Sequence, residues 1–149
     1  MALVYPDLSE PPVGWKVAQQ GAALRLVPGE FAVDRSPWSI FVSPLVAKTA
    51  ELPGLEQLIK MTISAEIRVR QLQVLGYQAS SVTNDHGLAG VRCEVLLGNE
   101  TPTEQREYVV FEDPKWVYGI HYVASPGHFS KFVEVFWRAA ASVKPYPES

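Results

Sequence analysis

Apolar residues recur at helical spacing through the middle of the chain. Leu55, Leu58, Ile59, Thr62, Ile63 and Ile67 share one face, and Glu56, Lys60, Glu66 and Arg70 fill the rest of the circumference. Steps of three and four residues are the signature of an amphipathic helix. Pro53 stands where a missing N–H costs least, and Gly76 suits a helix end. The pattern predicts a helix of about five turns that opens at Pro53 and stops before Gly76. Its β-branched residues make it intrinsically weak, so its stability must come from packing. A second series, Phe129, Phe132, Val133, Phe136, Ala140 and Val143, predicts another helix that starts around Ser125-Pro126-Gly127, with Lys131, Glu134 and Arg138 off the stripe.

Between the helices the period changes to two. Val91, Cys93, Val95 and Leu97 point one way, Arg92 and Glu94 the other. Strands are predicted at 77–83, 91–97, 105–112 and 116–123, with earlier ones at 22–27 and 38–43. The turn signals are Asn84-Asp85-His86-Gly87, Gly98-Asn99 and Asp113-Pro114. Short connections make neighbouring strands antiparallel hairpins. The expected class is α+β: a twisted antiparallel sheet with two amphipathic helices packed on one face. The helix stripes should meet Val91, Cys93, Val95 and Val109.

Composition narrows the function. The 149 residues fit one domain, 1–149, with a proline-broken N-terminal arm (1–13) and a mobile tail (144–149). The net charge is −3 and there is no clustered basic footprint, so no nucleic-acid partner is expected. Cys93 is the only cysteine, which excludes an internal disulfide and a thiolate metal cluster. No secretory signal and no membrane-length apolar run is read, so the expected location is the cytoplasm, without stable membrane insertion.

The candidate chemistry is sparse. Asp85 and His86 belong to an ordinary polar turn. His121 lies mid-strand and reads as a half-buried histidine bonded to backbone rather than a metal ligand. His128 falls at a helix start and reads as a surface residue. Cys93 reads as a small core hydrophobe. Glu94 and Glu107 project from neighbouring strands, with Arg92 and Arg106 near, and read as a solvated cross-strand ion-pair ladder. No nucleophile elbow, phosphate loop or metal-ligand spacing is present. No catalytic, metal or cofactor site is expected, and the protein reads as a non-enzyme. The aromatics are more suggestive. Trp116, Tyr118, Ile120 and Tyr122 share one face of their strand, and Tyr108 and Val110 share a face of the strand before it. If the helices cover one side only, Tyr108, Val110, Tyr118, Ile120 and Tyr122 form an open face for a partner's apolar helix.

Pro12-Val13-Gly14-Trp15 resembles the Pro-x-Gly-Trp start of PsbP-like and Mog-like domains. The last helix, Phe136-Trp137-Arg138-Ala139-Ala140-Ala141-Ser142-Val143, stands where those domains end in an aromatic-Ala-Ser segment. The resemblance runs from about Pro12 to Val143. Within that fold the chain is similar to the DcrB-like branch, which includes Eag-type chaperones of type VI secretion. The resemblance implies a small cytosolic dimer, without catalytic residues or cofactor, that holds the apolar transmembrane segment of a secreted effector. No chaperone-specific motif matches residue by residue. An immunity or inhibitor protein that blocks a toxin or enzyme is the alternative, ahead of a Mog-like partner of a small GTPase and a hydrolase or transferase with an unusual site.

Overall fold

The computed structural model describes residues 3–147. In chain order the elements are β1 (Asp7–Leu8), β2 (Trp15–Gln20), β3 (Ala23–Pro28), β4 (Trp38–Val42), β5 (Val46–Ala47), α1 (Leu55–Arg70), β6 (Gln73–Thr83), β7 (Ala89–Gly98), β8 (Pro102–Glu112), β9 (Trp116–Ala124), α2 (Phe129–Ala141) and β10 (Val143–Lys144). The main, eight-stranded sheet runs β2-β3-β4-β9-β8-β7-β6, with β5 paired to β9 off this path, antiparallel throughout. Two meanders, β2 to β4 and β6 to β9, join where β9 returns beside β4. The class is α+β, as the alternation of periods predicts.

The helices do not share a face, which corrects the expected arrangement. Neighbouring residues of a strand point to opposite sides, and the two core clusters divide by that parity. Ile59 and Ile63 of α1 pack with Cys93, Val95, Leu97 and Tyr108. Val133 and Phe136 of α2 pack with Ile40, Val109, Phe111, Ile120 and Tyr122. Tyr108 and Val109 are adjacent, so one helix lies on each side of the sheet. Cys93 pairs with Tyr108 and Val109 with Arg92, so Val109 cannot meet the helix that covers Cys93.

Element ends also differ from the pattern. α1 begins at Leu55 after Gly54 and stops at Arg70, because Gln71 turns left-handed at φ 56° and its N–H returns to the Ile67 carbonyl. Val74 and Leu75 then join the sheet instead of prolonging the helix. α2 starts later than expected, at Phe129. The arm and the tail are tied together. Asp7–Leu8 pairs with Val143–Lys144, the Tyr146 N–H donates to the Tyr118 hydroxyl at 2.8 Å, and the Tyr146 ring lies against Trp116 at 5.3 Å. The tail expected to be mobile is thus docked through Tyr146; its last two residues lie outside the described ones.

One edge of the sheet is unguarded. β6 is eleven residues long, ends the strand order, and carries no charged residue and no proline. At the other edge β2 has six residues, Lys16 among them. Natural sheets commonly blunt their edges with charge, proline or bulges; β6 has a bulge between Val74 and Gly76 near its start and neither charge nor proline along the rest.

Candidate partner-binding groove

Tyr118, Ile120 and Tyr122 are buried in the core beneath α2 and form no open face. Tyr122 stacks on Phe136 at 5.6 Å and its hydroxyl donates to the Phe129 carbonyl at 2.7 Å. Tyr118 donates to the Asp113 carboxylate. The expectation fails because α2 covers the face on which these rings stand. Tyr108 and Val110 lie on the other face, where they line a groove.

That groove is made by a gap in the sheet's cover. α1 spans β7 and β8 but leaves the β4 and β9 side of the same face uncovered. Pro44 interrupts the strand between β4 and β5, and Gly119 has no side chain to fill the space beneath. The result is a groove of about 210 Å³ walled by Pro44, Val46, Leu58, Ile59, Tyr108 and Val110, with Gly119 and His121 on its floor. No Asp, Glu, Lys or Arg lines it. Drug-sized ligands occupy roughly 300–1,000 Å³, so the space suits inserted apolar side chains better than a cofactor.

His121 is held flat between two rings, Phe41 at 4.8 Å and 15° and Tyr108 at 4.8 Å and 24°. Cross-strand register creates the stack: Phe41, His121 and Tyr108 are direct partners on β4, β9 and β8. Arg25 of β3 extends the row, with its guanidinium 5.7 Å from the Phe41 ring centre. His121 makes no ring hydrogen bond to a described residue, which corrects the expected bond to backbone. Burial, helped by the charge of Arg106, lowers its pKa to about 3, so the imidazole is neutral at physiological pH and the floor carries no charge.

α1 contributes Leu58, Ile59 and Thr62 to the groove, and a second stripe on the helix continues from Leu58 and Thr62 beyond it. Leu58, Met61, Thr62, Ala65 and Val69 follow the i, i+3, i+4, i+7, i+11 series, beside the buried Leu55, Ile59 and Ile63. Met61 is 52% exposed and Val69 82%. The opposite flank of α1 is polar. Glu56 accepts from the Tyr77 hydroxyl at 2.8 Å, and Lys60 lies 5.4 Å from the Tyr77 ring centre. The far end of the helix is fixed by charge. Arg106 donates to Glu66 at 3.0 Å, to Tyr108 at 2.9 Å and to Glu104, and Arg70 reaches Glu104 at 2.8 Å. This network sets the distance between α1 and the Tyr108 wall. Met61, Ala65 and Val69 stand outside the stripe led by Leu55, Leu58 and Ile59, yet their spacing from Leu58 is itself helical and marks a second face.

The other candidates resolve differently. His86 Nε2 lies 3.0 Å from the Ser9 hydroxyl, in a turn whose Asn84 side chain accepts the His86 and Leu88 N–H groups. Cys93 is buried, as its alternation predicts, and burial raises its thiol pKa; the Tyr77 hydroxyl is 3.3 Å away. Among the described residues, no three His, Cys, Asp or Glu side chains gather as a metal site would require. Glu94 and Glu107 are direct cross-strand partners, but they form no solvated ladder. Glu107 is fully buried, because Trp137 of α2 closes over it. Arg106 lies on the opposite face and takes no part.

With one helix on each side of a sheet built from two joined meanders and its ends paired, the molecule has the fold of PsbP. Cyanobacterial PsbP (CyanoP) from Synechocystis sp. PCC 6803 superimposes with a TM-score of 0.65 over 91% of this chain and 84% of its own, at 10% identity. PA94 of Pseudomonas aeruginosa, a protein of unknown function described as a candidate regulator, matches with a TM-score of 0.50 over 90% of this chain and 99% of its own, at 15% identity. No protein-family model and no curated protein sequence matches the chain. These likenesses establish the PsbP-like fold that the Gly-Trp start and the order of elements suggest. No helix among the described residues is long and apolar enough to cross a membrane.

Proposed function

We propose that the protein is a non-enzymatic binding protein, a DcrB-like chaperone that holds an apolar helix of a protein partner along α1. The observation that carries this reading is the uncharged groove, with Leu58 in its wall, continued by exposed Met61, Thr62, Ala65 and Val69 on the same stripe. From Leu58 to Val69 the stripe runs about 16 Å, or three turns of helix. Ala65 and Thr62 are small, so a second helix can approach closely there, while the groove beside them takes its larger side chains. Each 100 Å² of apolar surface covered contributes roughly 2.5 kcal/mol before the cost of ordering. The transmembrane segment of a secreted effector has the required chemistry, and the cytoplasm is where such a segment needs shelter before export.

The test is binding of a fluorescent, uncharged Leu/Ala helix with lysine-tagged ends, read by anisotropy. Ala65→Glu places a charge in the stripe and is expected to weaken binding at least tenfold, about 1.4 kcal/mol. Gly119→Leu fills the groove and should act in the same direction, since a Cβ at Gly119 meets only Ser43, at 3.5 Å. Equal affinity for wild type and both variants, with the folds intact, sinks the reading.

The unguarded β6 edge supports a homodimer. In a two-fold antiparallel pairing centred on Gln78, the middle of the strand, Tyr77 lies opposite the partner's Ala79 and the sheet continues through both copies. Gln78 then faces itself, so Gln78→Cys should oxidise to a covalent dimer and Ser81→Cys should not. A sedimentation profile that stays monomeric at high concentration, with no cross-link at residue 78, rules this interface out.

A further inference from the structure

On the face away from the groove, the Glu94–Glu107 pair is built unlike a surface ion pair. Glu107 of β8 is fully buried, and its Oε1 has no hydrogen-bond partner. Its Oε2 accepts the indole N–H of Trp137 from α2. Glu94 of β7 stands directly opposite in register. Arg92 is the cation of the cluster, with Nη2 at 2.9 Å from Glu94 Oε1 and Nε at 3.5 Å from Glu107 Oε1. Its guanidinium also lies 5.4 Å from the Trp137 ring centre. On β9, Tyr122 is the cross-strand partner of Glu107, but its hydroxyl is turned to the Phe129 carbonyl. Glu134 and Arg138, the nearby charged residues of α2, are exposed and make no ion pair with the cluster.

Two carboxylates and one guanidinium, with Glu107 out of water and Arg92 and Glu94 partly exposed, leave one negative charge uncompensated. A buried carboxyl oxygen without a donor is costly. A proton on Glu107 removes both problems, because it cancels the excess charge and supplies the hydrogen bond that Oε1 lacks, with Glu94 as acceptor. We propose that Glu94 and Glu107 hold one proton between them and that α2 reads its loss through the Trp137 indole. When the proton leaves to water, the buried carboxylate draws Arg92 inward and pulls harder on the indole N–H, since bonds to ionised acceptors are stronger. Trp137 therefore senses the change twice, through its N–H and through the cation over its ring. Because Trp137 sits on the helix and is 41% exposed, the event is transmitted to the surface of α2. Burial, the largest influence on Glu107, and Glu94 together outweigh Arg92 and the indole and raise its pKa to about 7, so the pair changes state within the physiological range.

The experiment follows the indole ¹H–¹⁵N resonances of the full chain against pH. Trp137→Phe identifies the Trp137 signal among those of Trp15, Trp38 and Trp116. The Trp137 signal should move with a midpoint near pH 7, and those of Trp15 and Trp116 should stay still. Glu107→Gln should freeze it. Glu94→Gln, at the more exposed member of the pair, removes the like charge and should move the midpoint down by about one unit or more while leaving a titration. A wild-type signal that is flat from about pH 5 to 9 overturns the proposal. So does a titration that survives Glu107→Gln or is unmoved by Glu94→Gln.

Discussion

Phe136→Ala is expected to destabilise the protein by about 3–5 kcal/mol. Phe136 is fully buried, its ring lies 16° from parallel with Tyr122, and Ala139 and Ala140 beside it leave no larger side chain to collapse into the space. The lost contacts fall on the seam where α2 meets β9 and β4, so the cavity cannot be filled without moving the helix. Urea denaturation should show a lower midpoint with an unchanged slope, the mark of a stability change without a change in exposed surface. Phe132 is a useful contrast. It is half-buried between Trp15 at 5.4 Å and Trp38 at 4.8 Å, with Lys131 over its ring. Phe132→Ala should cost less, because part of that ring already faces water. A loss below about 0.5 kcal/mol for Phe136→Ala, the range of exposed positions, contradicts the placement of α2.

The two positions differ by one turn of one stripe, and this marks the limit of what hydrophobic spacing conveys. It identified both helices and the four long strands of the second meander. It could not say which face each helix takes, because that depends on where the connections run and both faces of the sheet are apolar near the middle of β8 and β9. Tyr108 and Tyr122 look alike in the sequence; one lies under α1 and the other under α2. The short pairings were invisible for a different reason. Asp7–Leu8 and Val143–Lys144 form a ladder only because distant ends of the chain meet, and two-residue strands carry no period. The site divides along the same line. Tyr108 and Val110 were legible as a pair on one face. The groove they line depends on Pro44 and Gly119 leaving a space, and an absence of side chain has no hydrophobic signal. Glu107 was misread because alternation reports which side a residue faces, not whether a tryptophan from another element closes over it.

That closure makes the stability of this protein depend on pH in an unusual direction. Glu107 has its pKa raised from 4.5 to about 7 by burial first and by Glu94 after it, against the pull of Arg92 and Trp137. Between those values the folded state binds a proton that the unfolded state has released, so stability falls as pH rises. The contribution is fully present below the unfolded pKa and is lost as pH passes through the folded one. At 1.36 kcal/mol per unit, the loss amounts to about 3 kcal/mol. Glu104 acts with the opposite sign. Burial works to raise it, but Arg70 and Arg106 outweigh that and hold it below the ordinary carboxylate value, so its contribution disappears on acidification. Unfolding free energy should therefore peak at mildly acid pH and decline toward pH 8. Glu107→Gln keeps the shape and an acceptor for the indole N–H without the charge. It should match wild type below about pH 4 and exceed it by about 3 kcal/mol above pH 8, with the acid limb unchanged. Urea titrations of both proteins across that range isolate the difference. Parallel curves for the two proteins would mean that Glu107 is ionised, or protonated, alike in the folded and unfolded states, and that the seam between α2 and the sheet carries no proton.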